Sequence, residues 1–199
     1  MVQPKCWRLL GDADVHASHD CALRWAASNG HLAVVEYLIK NGADVHAGLA
    51  APRPDEVGND DAAFRWSSPN GHLAVVECLI SHGANVHADV DSAFRVASFN
   101  GHLAVIECLI SHGADVHALD DYSLRYASEN GHLAVVEFLL KHGANVHAEN
   151  DQALRAASEN YHLAVVELLN NHIKNEKIEE LQKQLINIQN KLNELMNTQ

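Results

Sequence analysis

The usual vocabulary of catalysis is missing from this sequence. No H-E-x-x-H, Cys-x-x-Cys, phosphate-cradling glycine loop or nucleophile elbow occurs in its 199 residues, so the chemistries those patterns carry have no foothold. Paired acids occur only as surface neighbours such as Glu179-Glu180. The chain therefore reads as a non-enzyme, with no cofactor and no metal. Basic residues are scarce too: 14 Lys and Arg stand against 26 Asp and Glu, a formal charge of −12. Such an excess repels phosphate, which argues against nucleic acid and anionic membrane as partners and favours a basic protein segment. Long apolar runs are absent, and a stretch such as Leu32–Val35 is far too short to span a bilayer. Met1–Leu10 has no charged-then-apolar leader. Its four cysteines (Cys6, Cys21, Cys78, Cys108) are accordingly expected to be reduced, in a cytoplasmic setting.

What the sequence has is repetition. Asn130–His147 reads N-G-H-L-A-V-V-E-F-L-L-K-H-G-A-N-V-H, with close copies at Asn29–His46, Asn70–His87 and Asn100–His117, and a truncated one at Asn160–Asn170. Between copies stands an Asp, two residues, Leu or Phe, Arg, one residue, and two small residues. The repeats are 20–47, 61–88, 91–118, 121–148 and 151–172; the last four starts are 30 residues apart, and an insert at 48–58 lengthens the first spacing. Residues 1–19 resemble a trimmed repeat that covers the end of the stack. The insert, with Pro52-Arg53-Pro54, reads as a tolerated surface loop.

Within a copy the apolar spacing is helical. Leu124, Ala127 and Ser128 stand at i, i+3 and i+4, and Leu133, Val136, Leu139 and Leu140 form a second stripe. Asp121 suits an N-cap, Asn130-Gly131 ends one helix, and Gly143 ends the next. The expectation is two short antiparallel helices and a brief extended turn into the next copy. One hairpin cannot bury its stripe alone, so the copies must stack. Cys78 and Cys108 fill the slot held elsewhere by Tyr37, Phe138 and Leu168, and read as small core hydrophobes. Equivalent positions on neighbouring helices, about 8–10 Å apart, lie beyond disulfide reach.

Gly131-His132-Leu133, Val135-Val136, Leu139-Leu140 and Gly143-Ala144-Asn145-Val146 resemble the ankyrin repeat, over about residues 9–172. The 30-residue form with A-L-R-x-A-S-x-N-G-H-L is similar to ankyrin proteins abundant in giant DNA viruses, which would place the chain in a host cytoplasm. The resemblance implies an all-α, ankyrin-type solenoid, with inter-repeat fingers stubby or absent because each repeat is three residues short. It also implies turn-stabilising roles for His31, His72, His102, His132 and His162. His46, His87, His117 and His147 stand where many ankyrin repeats carry a hydroxylated asparagine.

Residues shared by every copy are structural first. Arg24, Arg65, Arg95, Arg125 and Arg155 each follow an aspartate by four positions, a favourable acid-before-base order on a helix. Function is expected where copies differ. Trp25, Trp66, Phe99, Tyr122 and Tyr126 recur on one face of the first helices, the face that in ankyrin repeats lines the concave groove, flanked by Glu129 and Glu159. Aromatic anchors dominate interface energetics.

After Leu169 the repeat breaks down, and residues 173–199 read as a C-terminal helix. Ile178, Leu181, Leu185, Ile188, Leu192 and Leu195 follow a 3-4-3-4-3 heptad spacing. This stripe either pairs with other copies of the chain, as a coiled coil making a homo-oligomer, or caps repeat five. The expected function is protein–protein interaction; the alternatives are a self-assembling structural protein and an adaptor delivering targets to a ubiquitin ligase.

Overall fold

The computed structural model describes residues 14–48 and 61–197. The N-terminal cover and the insert lie almost wholly outside these residues. Ten α-helices follow one another among the described residues: α1 (Ala17–Ser28), α2 (Leu32–Lys40), α3 (Ala62–Ser67), α4 (Leu73–Ser81), α5 (Ala88–Phe99), α6 (Leu103–Ser111), α7 (Ala118–Glu129), α8 (Leu133–Lys141), α9 (Ala148–Glu159) and α10 (Leu163–Asn197). No strand occurs among them, so hairpin fingers are absent there.

Each first helix packs on the first helix of the next repeat, α1 on α3 through α7 on α9, and each second helix on the next second helix, α2 on α4 through α8 on α10. The result is a two-layer helical solenoid. Small residues on the first helices (Ala26 and Ala27, Ala97 and Ser98, Ala127 and Ser128) are buried and let the layers approach. Leu23, Phe64, Phe94 and Leu124 from the first helices meet Val35, Leu79, Ile106, Leu109 and Leu139 from the second in one continuous core. Each such large side chain, fully buried, stabilises the array by roughly 1.5–3 kcal/mol. Cys78 and Cys108 pack against that core as free thiols, and burial pushes both above the usual thiol range. Cys21, in a different slot, is disulfide-bonded. The expectation of reduced thiols, drawn from the lack of a leader, is not met there; the distance argument for Cys78 and Cys108 did not extend to Cys21.

The connection between repeats is not an extended turn. Leu119, Asp120 and Asp121 all have φ between 51° and 55°, one turn of left-handed helix, and the same turn occurs at residues 18–20, 89–91 and 149–151. L-residues resist this conformation at roughly 1–2 kcal/mol each. Aspartate and asparagine tolerate it best, and they fill most of the last two positions of these turns. Hydrogen bonds offset the cost. Arg125 donates from Nε to the Asp120 carbonyl at 2.9 Å and from Nη2 to the Leu119 carbonyl at 2.9 Å; Arg95 does the same to Val90 and Asp89. The expected Asp–Arg helix pairs and the aspartate N-caps are therefore corrected. A left-handed aspartate cannot face an arginine four residues on as it would within an α-helix.

Released from capping, each aspartate instead reaches the following loop. Asp20, Asp61, Asp91 and Asp121 accept the backbone N–H of residues 44, 85, 115 and 145 at 2.9–3.2 Å. They also pair with Nδ1 of His16, His46, His87 and His117 at 2.8–3.2 Å. The Val-His histidines thus have a structural partner in a ladder of loop-to-loop contacts.

Asp61 is the most deeply buried of these, at 0% exposure. Burial pushes its carboxyl above the usual carboxylate range, against the lowering effect of hydrogen bonds from His46 and the Asn85 N–H. Between the ordinary value near 3.9 and the raised one, the folded state binds more protons than the unfolded state. Asp61 thus contributes most stability below its unfolded pKa and loses it as pH rises through its folded one. Denaturant titrations of wild type and Asp61→Asn are expected to show the wild type losing ground to the variant from pH 4 to pH 7; the opposite trend would contradict the assignment.

Candidate partner-binding face

Side by side, the first helices present one face built from three slots per repeat. The structure does not treat the aromatic residues there as one row. Phe99, Tyr122 and Tyr126 form a cluster: Tyr122 and Tyr126 stack with ring centroids 4.0 Å apart, and Phe99 of the preceding repeat lies 6.1 Å from Tyr126. Trp66 lies under the Arg24 guanidinium at 5.5 Å, and Trp25 leans on His31 at 5.3 Å. Phe99 is 41% exposed, whereas both tyrosines and both tryptophans are half-buried. The rings are partly framework and partly surface.

Sequence reasoning missed the arginines as members of this face. Arg95 sits 5.3 Å from the Tyr122 ring, and Arg125 sits 5.9 Å and 5.8 Å from Tyr122 and Tyr126. Arg125 also donates from Nη1 to Gln152 Oε1 of the next repeat at 2.6 Å. A guanidinium over an aromatic face is attracted by the ring quadrupole, and tethering to the left-handed turn fixes where each guanidinium stands. The signal was present in the sequence: every arginine directly precedes the slot that holds Trp25, Trp66 and Tyr126.

Burial chiefly, with Tyr126 and Glu129 nearby, pushes the Tyr122 hydroxyl above the usual phenol range, against Arg95 and Arg125. Tyr122 therefore stays a neutral hydroxyl at physiological pH. At the rim, Glu129 is half-buried and Glu159 exposed, and Asp89 meets Arg65 at 3.6 Å.

The five Gly-His histidines divide. Four bridge to the preceding repeat through Nε2: His72 to Ser28, His102 to Pro69, His132 to Phe99 and His162 to Glu129, at 2.8–3.2 Å. A carbonyl only accepts, so each Nε2 carries the proton. Two of these carbonyls belong to Phe99 and Glu129, and the turn histidines thus hold the first-helix face in register. Among the described residues no group of three His, Cys, Asp or Glu side chains is placed to hold a metal ion, and no helix is long and apolar enough to cross a membrane.

A family model described as Ankyrin repeats (3 copies) matches residues 96–180, and one described as Ankyrin repeat matches residues 18–48. The chain carries ankyrin repeats. Such repeats generally mediate protein–protein interactions and are generally non-enzymatic. Residues 61–88 lie outside both matches, yet α3 and α4 take the same places in the ankyrin stack as their counterparts. No curated protein matches the sequence.

Proposed function

We propose that the chain is a non-enzymatic interaction protein that grips a protein partner on the first-helix face and is multiplied by its C-terminal helix. The arginine-braced cluster of Phe99, Tyr122 and Tyr126 carries this reading. Rigid aromatic anchors lose little entropy on binding and dominate interface energy. Trp25 and Trp66 extend the contact toward the first repeat, and Glu129 and Glu159 with the charge of −12 favour a basic segment in the partner. Linking several weak grooves raises apparent affinity by avidity. The likeness to giant-virus repeats makes a host cytoplasmic protein the natural target.

Affinity capture with the full chain tests this. Trp25→Ala with Trp66→Ala, and separately Phe99→Ala with Tyr126→Ala, are expected to cut recovery of wild-type partners at least tenfold while the helical circular dichroism persists. Undiminished recovery by both folded variants would remove the face from consideration. A second reading, self-assembly for its own sake, draws on the exposed stripe of α10. It predicts that light scattering finds assemblies larger than a few chains, which collapse to monomers without residues 175–199.

A further inference from the structure

The C-terminal helix leaves the array with its apolar stripe turned away from it. Where α10 packs against α8 and α9, its buried side chains are Val165 and Leu169, with Val166, Leu168 and Ile173 partly buried. Glu176, on that same side, meets Nε2 of His147 at 3.4 Å and of His172 at 3.5 Å. At 3.6 residues per turn, Ile178, Leu181, Leu185, Ile188, Leu192 and Leu195 fall on the opposite side of the helix. Continued backward, their line runs through Glu167, Asn171 and Lys174, all exposed. Every residue of the stripe is itself more than half exposed. The helix neither breaks at residue 172 nor folds back, so capping of repeat five by this stripe is not the arrangement observed.

The end of the array is closed in another way. At residues 30, 71, 101 and 131 a Cβ would stand 2.5–2.7 Å from the imidazole of the next repeat's histidine. The equivalent residue of repeat five is Tyr161, at φ 60° and 83% exposed. By the same geometry its Cβ, with the phenol it carries, stands against the place where a sixth repeat, or a second copy stacked end to end, would have to seat its histidine.

We infer that a second copy of this chain docks on the stripe in parallel, both helices running the same way and the two arrays facing outward from opposite sides. This rests on the oligomer reading above and adds its geometry. With Ile178, Leu185 and Leu192 as one seam position and Leu181, Ile188 and Leu195 as the other, the flanking positions are Lys177, Gln184 and Lys191 on one side and Gln182, Gln189 and Met196 on the other. An antiparallel pair gathers all four flanking lysines, Lys177 and Lys191 of each copy, on one flank. A parallel pair sets two lysines on each flank, across from Gln and Met of the partner. Lys177 is also paired with Glu180 of its own helix at 2.6 Å, so the repulsion falls chiefly on Lys191; it still favours the parallel pair, and the outward-facing seam keeps the arrays from colliding.

Sedimentation equilibrium on full-length wild type, Gln182→Glu, Gln182→Lys and Leu185→Asp tests the inference. Residues 182 and 185 are both exposed, so the fold tolerates all three changes. A parallel pair places residue 182 across from Lys177 of the other copy. Gln182→Glu is expected to tighten association roughly two- to five-fold and Gln182→Lys to loosen it similarly, both effects fading at about 1 M salt. Leu185→Asp is expected to abolish association. Association lost with Leu185→Asp but indifferent to the charge at 182 would overturn the parallel arrangement and leave oligomerisation by the tail standing. A wild type that is monomeric, or that still associates with Leu185→Asp, would overturn both.

Discussion

Gly101→Ala is expected to destabilise the array by about 3 kcal/mol, against about 1 kcal/mol for Gly113→Ala. Both glycines lie at positive φ, 77° and 93°, and both follow helices. Strain alone would make the two substitutions equal. Their surroundings differ. Around Gly113 nothing lies within 4 Å of the added carbon, whereas at Gly101 the carbon would stand 2.6 Å from Nδ1 of His132 and 2.8 Å from Cγ and Cε1. The imidazole must move, and its bond to the Phe99 carbonyl at 2.9 Å goes with it. Denaturant melts of the two variants measure the difference; equal losses would show that the histidine contributes nothing at this joint.

The location of that loss matters as much as its size. An array of this kind is held by nearest-neighbour interfaces, and the disturbed joint lies between repeats three and four. Unfolding of Gly101→Ala should therefore lose its single transition. Phe99 and Tyr126 sit on either side of the same joint, so partner capture should weaken in parallel even where the variant remains folded.

How much of this could be read from the chain depends on how far each feature reaches. Helices were legible because Leu133, Val136 and Leu139 report a period that one element sets by itself. Stacking was legible because a hairpin with such a stripe must be covered. The left-handed turn was not. Asp120-Asp121 and Asn150-Asp151 fit it, but Leu119 and Val90 do not announce it, and the partners of every repeated Asp and Arg follow from that backbone. On the face, spacing alone gave the slot of each aromatic residue in its repeat. Which rings meet was beyond spacing: Phe99 reaches Tyr126 across a repeat boundary, while the two tryptophans lean on Arg24 and His31. The tail stripe was visible at once; its direction away from the array needed the buried face of residues 165–173 for comparison.

The second large effect is expected at Asp121. Asp121→Ala should cost about 2–4 kcal/mol, and Asp121→Asn about 1 kcal/mol or less. Three things are lost together in the alanine variant. The Asn145 N–H, bonded to Oδ1 at 2.9 Å, is left without its acceptor in a partly buried loop. His117 loses its contact at 3.0 Å. Alanine must also hold φ 55°, where aspartate and asparagine are tolerated and alanine is not. Asparagine restores the acceptor oxygen and the backbone tolerance and forfeits only the charge. Thermal or urea melts of the pair therefore separate geometry from electrostatics. A large loss with asparagine would mean that the buried charge beside His117 holds the loops together. A small loss with both would mean that the aspartate ladder follows from stacking instead of supporting it. The expected order, alanine far below asparagine, would assign the short repeat its own fastener: a carboxylate on a left-handed turn, gripping the next loop where no hairpin finger exists to do so.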